Sequence, residues 1–224
     1  MTQNAMNDEW IDSAWTHFSA VLAHPENAAA HLNLGIWLAG VERWDAAAES
    51  FQRAVALDPH LESARIGLGA CLMKSNRFEE ALNVFEPFSA NGPARFGKAV
   101  ALQLLNRFDE AAGAYEALLE SEPNSEETLA NLIAMSAEMR DLEHMREYSQ
   151  KLLSIAPQSS SALQGLATVA LERRDNHTAA RYCDRILELA PDCLEGWHNL
   201  RIALDRILSA FIASKPAASI PGVK

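Results

Sequence analysis

Five prolines recur along this chain, each after an apolar run with helical spacing. The interval is 34 residues from Pro25 to Pro59, from Pro123 to Pro157 and from Pro157 to Pro191. Self-similarity at this period is typical of stacked helical repeats, in which each unit buries its apolar face against its neighbours only. Proline ends a helix because it lacks the amide hydrogen and restricts φ. The period therefore predicts an all-α array, which offers a binding surface rather than a catalytic pocket.

One period, residues 28–61, shows what the repeat contains. Its characteristic residues are Leu34, Gly35, Ala47, Phe51 and Pro59. In type and spacing these resemble the tetratricopeptide repeat pattern W-x2-L-G-x2-Y, then A-x3-F, then P. The segment departs from that pattern at His31 and Leu38, where aromatic residues are preferred. The resemblance extends over about residues 25–205 and implies two antiparallel helices in each unit.

The repeat divides the chain into one continuous array with distinct ends. We expect a right-handed α-solenoid over residues 10–213, built from about five helical hairpins and closed by terminal capping helices. The units are 28–61, 62–91, 92–125, 126–159 and 160–193. A helix from Trp10 to Ala23 precedes them and a capping helix, 194–213, follows. Residues 1–9 are expected to be flexible and residues 214–224 to be disordered.

Small and aromatic residues alternate in a way that predicts the packing of each hairpin. Gly35 and Gly69 fall where the two helices of a hairpin cross, so a larger side chain would hold the helices apart. Phe51, Phe85 and Tyr115 follow in the second helices and are expected to fill the gap to the next unit.

One interval is shorter than the others. Arg43 to Arg77 spans 34 residues, whereas Arg77 to Arg107 spans 30, so four residues are missing near 87–92. The shortening is either a tolerated deletion in a surface connection or a change in the angle between units. The sequence leaves both alternatives open.

Composition excludes several classes of partner. The net charge is −11, with 19 Lys and Arg against 30 Asp and Glu, which disfavours nucleic acids and anionic membrane surfaces. No apolar stretch is long enough for membrane insertion. Three cysteines without a ligand or redox spacing suit a reducing compartment. The sequence therefore predicts a cytoplasmic protein.

Motifs for catalysis are absent from the sequence. The seven histidines are scattered, and none belongs to a zinc-binding pattern. No nucleophile elbow, phosphate-binding loop or dinucleotide fingerprint occurs. We therefore expect a non-enzymatic protein with no cofactor and no metal.

The family resemblance implies a partner-binding groove lined by the first helix of each unit. Carried over to this sequence, the groove positions hold no lysine or arginine. In co-chaperones of this family, a clamp of Lys, Asn and Arg holds an acidic C-terminal tail; here Leu32 and Ile36 stand at two clamp positions, which disfavours that function. The groove residues predicted to contact a partner are Leu32, Ile36, Ile66, Met73, Phe96, Val100 and Gln103.

The function expected from these residues is an interaction scaffold or adaptor that binds an apolar or amphipathic peptide or helix. An equal alternative is that the same residues are covered within the protein itself. Two other functions remain open: a regulatory module of a transferase or other enzyme, and a self-assembling structural protein. The second would use the last helix, whose apolar residues are Trp197, Leu200, Leu204, Ile207, Leu208 and Phe211.

Overall fold

The structure is a computed structural model that describes the backbone of residues 3–86 and 92–214, with side chains from residue 12 onward in those ranges. The twelve elements in these ranges are all α-helices, which confirms the predicted all-α class. The helices are α1 (Gln3–Ala23), α2 (Ala28–Gly40), α3 (Trp44–Leu57), α4 (Glu62–Lys74), α5 (Phe78–Phe85), α6 (Gly92–Leu104), α7 (Phe108–Ser121), α8 (Glu126–Glu138), α9 (Leu142–Ile155), α10 (Ser160–Glu172), α11 (Asn176–Leu189) and α12 (Leu194–Ser214).

Close contacts divide the chain into two compact units, an N-terminal unit, Met1–Leu118, and a C-terminal unit, Leu119–Lys224. In both units each helix packs against the next one along the chain, and the first helices of successive hairpins also touch one another. In the N-terminal unit α2 contacts α4 and α4 contacts α6, and in the C-terminal unit α8 contacts α10 and α10 contacts α12. Stacked hairpins of this kind bury one face of every helix and leave the other face to solvent.

The ends of the chain differ from the expected boundaries. Helix α1 begins at Gln3, seven residues before the expected Trp10, and α12 ends at Ser214, one residue after the expected Ala213. The expected disordered tail lies, apart from residue 214, outside the described residues. The same holds for residues 87–91, which contain almost all of the region of the four-residue deletion.

Each hairpin turns through one residue with left-handed backbone geometry. The five residues have φ between 56° and 60° and occupy the same place in each repeat; they are Glu42, Asn76, Asn106, Arg140 and Arg174. The following residue donates its amide hydrogen to a carbonyl five positions earlier, as in the 2.9 Å bond from Arg43 to Leu38. Asparagine tolerates this geometry better than glutamate or arginine, so three of the five turns carry some backbone strain.

A second recurring bond ties the first helices α2, α4 and α12 to the proline before each of them. His31 Nε2 donates to the carbonyl oxygen of Pro25 at 2.9 Å, and Trp197 Nε1 donates to that of Pro191 at 2.8 Å. Arg65 makes the equivalent bonds to the Pro59 carbonyl at 2.9 and 3.1 Å. The departure from tryptophan at His31 is tolerated because the histidine supplies the same hydrogen bond.

Phenylalanine rings inserted between glycines form the core of the N-terminal unit. Phe51 is 3% exposed. A Cβ added at Gly35 on α2 would lie 2.7 Å from the Phe51 ring, and one added at Gly67 on α4 would lie 2.6 Å from it. Phe85 lies in the same way against Gly69 and Gly97, with distances of 2.2 and 2.5 Å. The sequence predicted Gly35 and Gly69 at such contacts but missed Gly67 and Gly97.

The C-terminal unit places a serine where the N-terminal unit has these aromatic rings. Ser149 on α9 stands at the repeat position of Phe51, Phe85 and Tyr115 and is 0% exposed. Its Oγ is buried without a hydrogen-bond partner and lies against Gly165 on α10. A hydroxyl removed from water and left unpaired costs free energy in the folded state.

We expect Ser149→Ala to raise the free energy of unfolding by about 1–2 kcal/mol, because it removes the unpaired hydroxyl. Ser136→Ala is the matched control, since Ser136 is 2% exposed but its Oγ donates to the Leu132 carbonyl at 2.7 Å. Urea unfolding followed by circular dichroism compares the two variants. A loss of stability in Ser149→Ala, or an equal gain in both variants, would contradict the prediction.

Candidate partner-binding face of the first helices

The seven residues predicted to contact a partner lie on α2, α4 and α6, the first helices of the N-terminal unit. We call them together the first-helix face. They differ strongly in exposure. Ile36 is 55% exposed, while the other six residues are half-buried.

Leu32 and Met73 contribute to the interior as well as to the surface. Both pack against the buried cluster of the N-terminal unit that contains Leu34, Leu72 and Phe51. Part of each side chain is therefore already covered within the chain, as the alternative interpretation of the sequence expected. Their remaining exposed surface is apolar. Leu32 lies one helical turn before Ile36 on α2, and Met73 lies on α4.

An aromatic contact holds Phe96 in place on α6. The ring packs edge-to-face against Tyr115 of α7, with the ring centroids 6.0 Å apart. Tyr115 is 0% exposed, and its hydroxyl donates to Gln103 Oε1 at 2.9 Å. Since this bond orients the Gln103 amide and the ring contact orients Phe96, the two side chains are positioned before any partner arrives.

One exposed apolar residue of this layer was not predicted. Leu104 is 48% exposed and follows Val100 by one helical turn on α6. Residues four apart share a face of a helix, so the i, i+4 spacing from Val100 is the signal that could have found it.

Three positive charges at the end of these helices or just after them have partners. Arg77 Nε and Nη2 each donate to the Glu80 carboxylate at 2.7 Å, and Arg107 pairs with Glu110 in the same way. The hydrogen bond from Arg77 lowers the pKa of Glu80. Lys74 Nζ lies 5.9 Å from the centroid of the Trp44 ring. These pairings leave the first-helix face predominantly apolar.

A separate cleft of about 510 Å³ opens in the N-terminal unit between α3 and α5, above α4. Leu68 and Leu72 form its floor, and Asp45, Glu49 and the Arg77–Glu80 pair lie at its rim. None of the seven residues of the first-helix face lines it. Among the residues that line the cleft, no nucleophilic side chain forms a hydrogen bond with a base.

The described residues contain no metal-ligand cluster, and two of the three thiols are buried. In the described part of the chain, no three His, Cys, Asp or Glu side chains are grouped so that they could hold a metal ion. Burial, with the charges of Asp184, Cys193 and Glu195, raises the pKa of the Cys183 thiol to about 11. Burial also raises the pKa of Cys71. Both thiols are therefore protonated, and unreactive, at neutral pH.

None of the helices in residues 3–86 and 92–214 combines the length and the apolar character needed to cross a membrane.

Comparison with known proteins identifies the repeat. Two sequence-family models, both described as tetratricopeptide repeat, match residues 38–87 and residues 66–126. No curated protein matches the chain.

Several solved structures share the fold. PilW, a widely conserved type IV pilus biogenesis factor, has a TM-score of 0.72 at 18% identity, covering 89% of this chain and 93% of PilW. YrrB, a tetratricopeptide protein with an unusual peptide-binding site, has a TM-score of 0.67 at 18% identity, covering 84% of this chain and 99% of YrrB. MamA from Desulfovibrio magneticus RS-1 has a TM-score of 0.68 at 18% identity, covering 75% of this chain and 97% of that one.

Proposed function

Because this chain is a tetratricopeptide repeat protein, we propose that it is an interaction scaffold whose first-helix face binds an apolar or amphipathic peptide or helix. The fold itself supports an interaction role in general, since stacked hairpins present extended surfaces to protein partners. The chemical class of the partner is the finer part of the proposal and rests on the residues of the face.

The observation that carries the proposal is the exposure of Ile36 on the same layer of first helices as ordered side chains. Ile36 is 55% exposed, so its apolar side chain is available to a partner. Phe96, held by Tyr115, is a rigid aromatic residue of the kind that dominates binding energy in interfaces. Met73 adds an adaptable side chain that fills irregular gaps against a partner. Together these features favour an apolar partner.

The charge pattern narrows the partner further. The seven residues of the face carry no charge, and Arg77 and Arg107 are paired with glutamates. A partner that presents mainly a carboxylate would find no positively charged side chain on the face to bind it. This argues for apolar contacts supported by hydrogen bonds to groups such as the Gln103 amide.

The proposed role is non-enzymatic, and the proposed location is the cytoplasm. In support of the first, the thiols of Cys71 and Cys183 are buried with raised pKa values. In support of the second, Cys71, Cys183 and Cys193 are all free thiols in the described structure, which suits a reducing compartment.

The test uses two charged substitutions on the face, Ile36→Glu and Phe96→Glu. Proteins captured from a native lysate by the wild-type chain are purified, and their affinities for each variant are measured by calorimetry. We expect at least a tenfold loss of affinity, because each variant places a carboxylate against an apolar partner surface. Leu22→Glu is the matched control, since Leu22 is 74% exposed on α1 and lies off the face.

Folding is checked on the same samples by circular dichroism. Ile36→Glu is the decisive variant because its side chain is largely in solvent, whereas Phe96→Glu also removes the contact with Tyr115. Full affinity of folded Ile36→Glu for every captured partner would disprove the proposal.

A further inference from the structure

Helix α12 has the register of a first helix, but no second helix follows it in the described residues. Leu204 shows the consequence. The five residues at the same place in the earlier first helices are buried; they are Leu38, Leu72, Leu102, Ser136 and Ala170. Leu204 is 51% exposed, because no helix among the described residues covers it.

The helix also continues past the point where every other first helix stops. Leu208 stands at the repeat position of the left-handed turn residues Glu42 and Arg174, yet it lies inside α12. The extension adds further exposed apolar side chains, with Leu208 and Phe211 each 56% exposed. No helix of the repeat needs this extra length for its own packing.

Four of the exposed apolar residues of α12 lie along one side of the helix. Trp197, Leu204, Leu208 and Phe211 are each 51–56% exposed and are spaced by seven, four and three residues. We call these four residues the α12 strip. Their spacing is that of a coiled-coil seam, in which apolar positions alternate three and four residues apart. The strip borders the buried face of the helix, which contains Leu200 and Ala203.

Arg201 makes an ordinary sixth hairpin unfavourable. It occupies the repeat position at which the second helix of a hairpin crosses the first. The residues at this position in the other first helices are all buried; they are Gly35, Gly69, Ala99, Ile133 and Ala167. An arginine at this close contact would keep a second helix of the usual kind from approaching. The occupant of the strip is therefore not one more repeat.

We propose that a second copy of this chain covers the C-terminal part of the α12 strip, Leu204, Leu208 and Phe211, with the two α12 helices packed antiparallel about a two-fold axis. Antiparallel pairing centred between Leu204 and Leu208 places Leu204 of each copy against Leu208 of the other, so the patch is complementary to itself. The three residues Leu204, Leu208 and Phe211 form a short line on the helix. It is long enough for the two symmetric contacts between Leu204 and Leu208 and for no more.

Charge complementarity supports the same arrangement. The pairing brings Arg201 of each copy to the last turn of the other, beside Phe211. Helix α12 has no basic residue in its last turn, and the C-terminus of a helix carries partial negative charge. Arg201 also pairs with Asp205 at 3.6 Å within its own helix, which offsets the charge of the two Asp205 carboxylates near the axis.

The expected interface is small. Three half-exposed side chains on each helix bury roughly 600 Å² in total, less than a standard specific interface. We therefore expect a dimer that dissociates in the micromolar range. The proposal is independent of the first-helix face, and Ile36→Glu is expected to leave dimerisation unchanged.

Sedimentation equilibrium of the full chain between about 1 and about 200 µM tests the association. We expect the mass of the wild-type chain to rise toward that of a dimer, and Leu208→Glu to weaken the association at least tenfold. Leu189→Glu on α11 is the matched control, since Leu189 is 44% exposed and lies off the strip. A wild-type chain that stays monomeric, or a Leu208→Glu variant that dimerises like the wild type, overturns the proposal.

Cysteine cross-linking tests the orientation. Leu204→Cys and Leu208→Cys chains, both carrying Cys193→Ser to remove a half-buried native thiol, are mixed and oxidised. Antiparallel pairing predicts that the disulfide joins one variant to the other in preference to two copies of the same variant. Predominant Leu204→Cys homodimers would mean parallel helices and would reject the arrangement.

Discussion

Phe51→Ala is expected to lower the free energy of unfolding by roughly 3–5 kcal/mol. The ring is 3% exposed and lies between Gly35 on α2 and Gly67 on α4. Because neither glycine has a side chain that could move into the space, the cavity left by the ring would collapse little. The variant also removes the contact that joins successive first helices, so cooperativity between hairpins should fall with stability.

Urea unfolding followed by circular dichroism measures this loss. Phe18→Ala is the control for the same chemical change at a surface site, since Phe18 is 43% exposed and makes an edge contact with Trp37. We expect it to cost about 1 kcal/mol or less, because most of its apolar area is already in water. Similar losses in the two variants would show that Phe51 does not hold the hairpins together.

Gly69→Ala is expected to be the second most damaging of these substitutions, at about 3 kcal/mol. An alanine Cβ at this position would lie 2.2 Å from the Phe85 ring, which is itself 4% exposed. A Cβ at Gly97 would meet the same ring at 2.5 Å, so the ring has little room to move away. Alanine favours helix by about 1 kcal/mol over glycine, and the steric overlap must exceed this gain.

Two further variants distinguish steric overlap from a general effect of the substitution. Gly113→Ala on α7 meets no atom within 4 Å and should stabilise the protein by about 0.5–1 kcal/mol through helix propensity alone. Combining Gly69→Ala with Phe85→Leu should restore part of the loss, since the smaller side chain makes room for the methyl group. If Gly69→Ala stabilises the chain as much as Gly113→Ala, the close packing of Phe85 is wrong.

These contacts show how far sequence reasoning reached into the core. Gly35 and Gly69 were predicted at helix crossings and Phe51 and Phe85 in the gaps between units, and the structure joins the two sets into one contact. Gly67 and Gly97 were missed because they are not part of the repeat pattern; they lie on the next hairpin and meet the ring from there. The repeat pattern describes the residues within one unit. It carries little information on which positions of the neighbouring unit must lack a side chain.

For the first-helix face, the sequence placed the seven residues on first helices, where they lie in the structure, but could not rank them by exposure. Ile36 is 55% exposed, whereas Leu32 and Met73, at other groove positions of the repeat, are partly covered by the core of the N-terminal unit. Helical periodicity specifies only the direction in which a side chain leaves the axis of its own helix. How much of it remains exposed depends on the neighbouring helices.

The sequence by itself determined the period, the helical class and the family, because each of these depends on local spacing: an apolar face every 3.6 residues and a helix-ending proline every 34 residues in most units. Tertiary structure alone decided which equivalent positions are buried. Leu38 and Leu204 occupy the same repeat position, yet one is 6% and the other 51% exposed. The reason is that burial belongs to a pair of packed surfaces, and among the described helices only Leu38, not Leu204, has a second helix beside it.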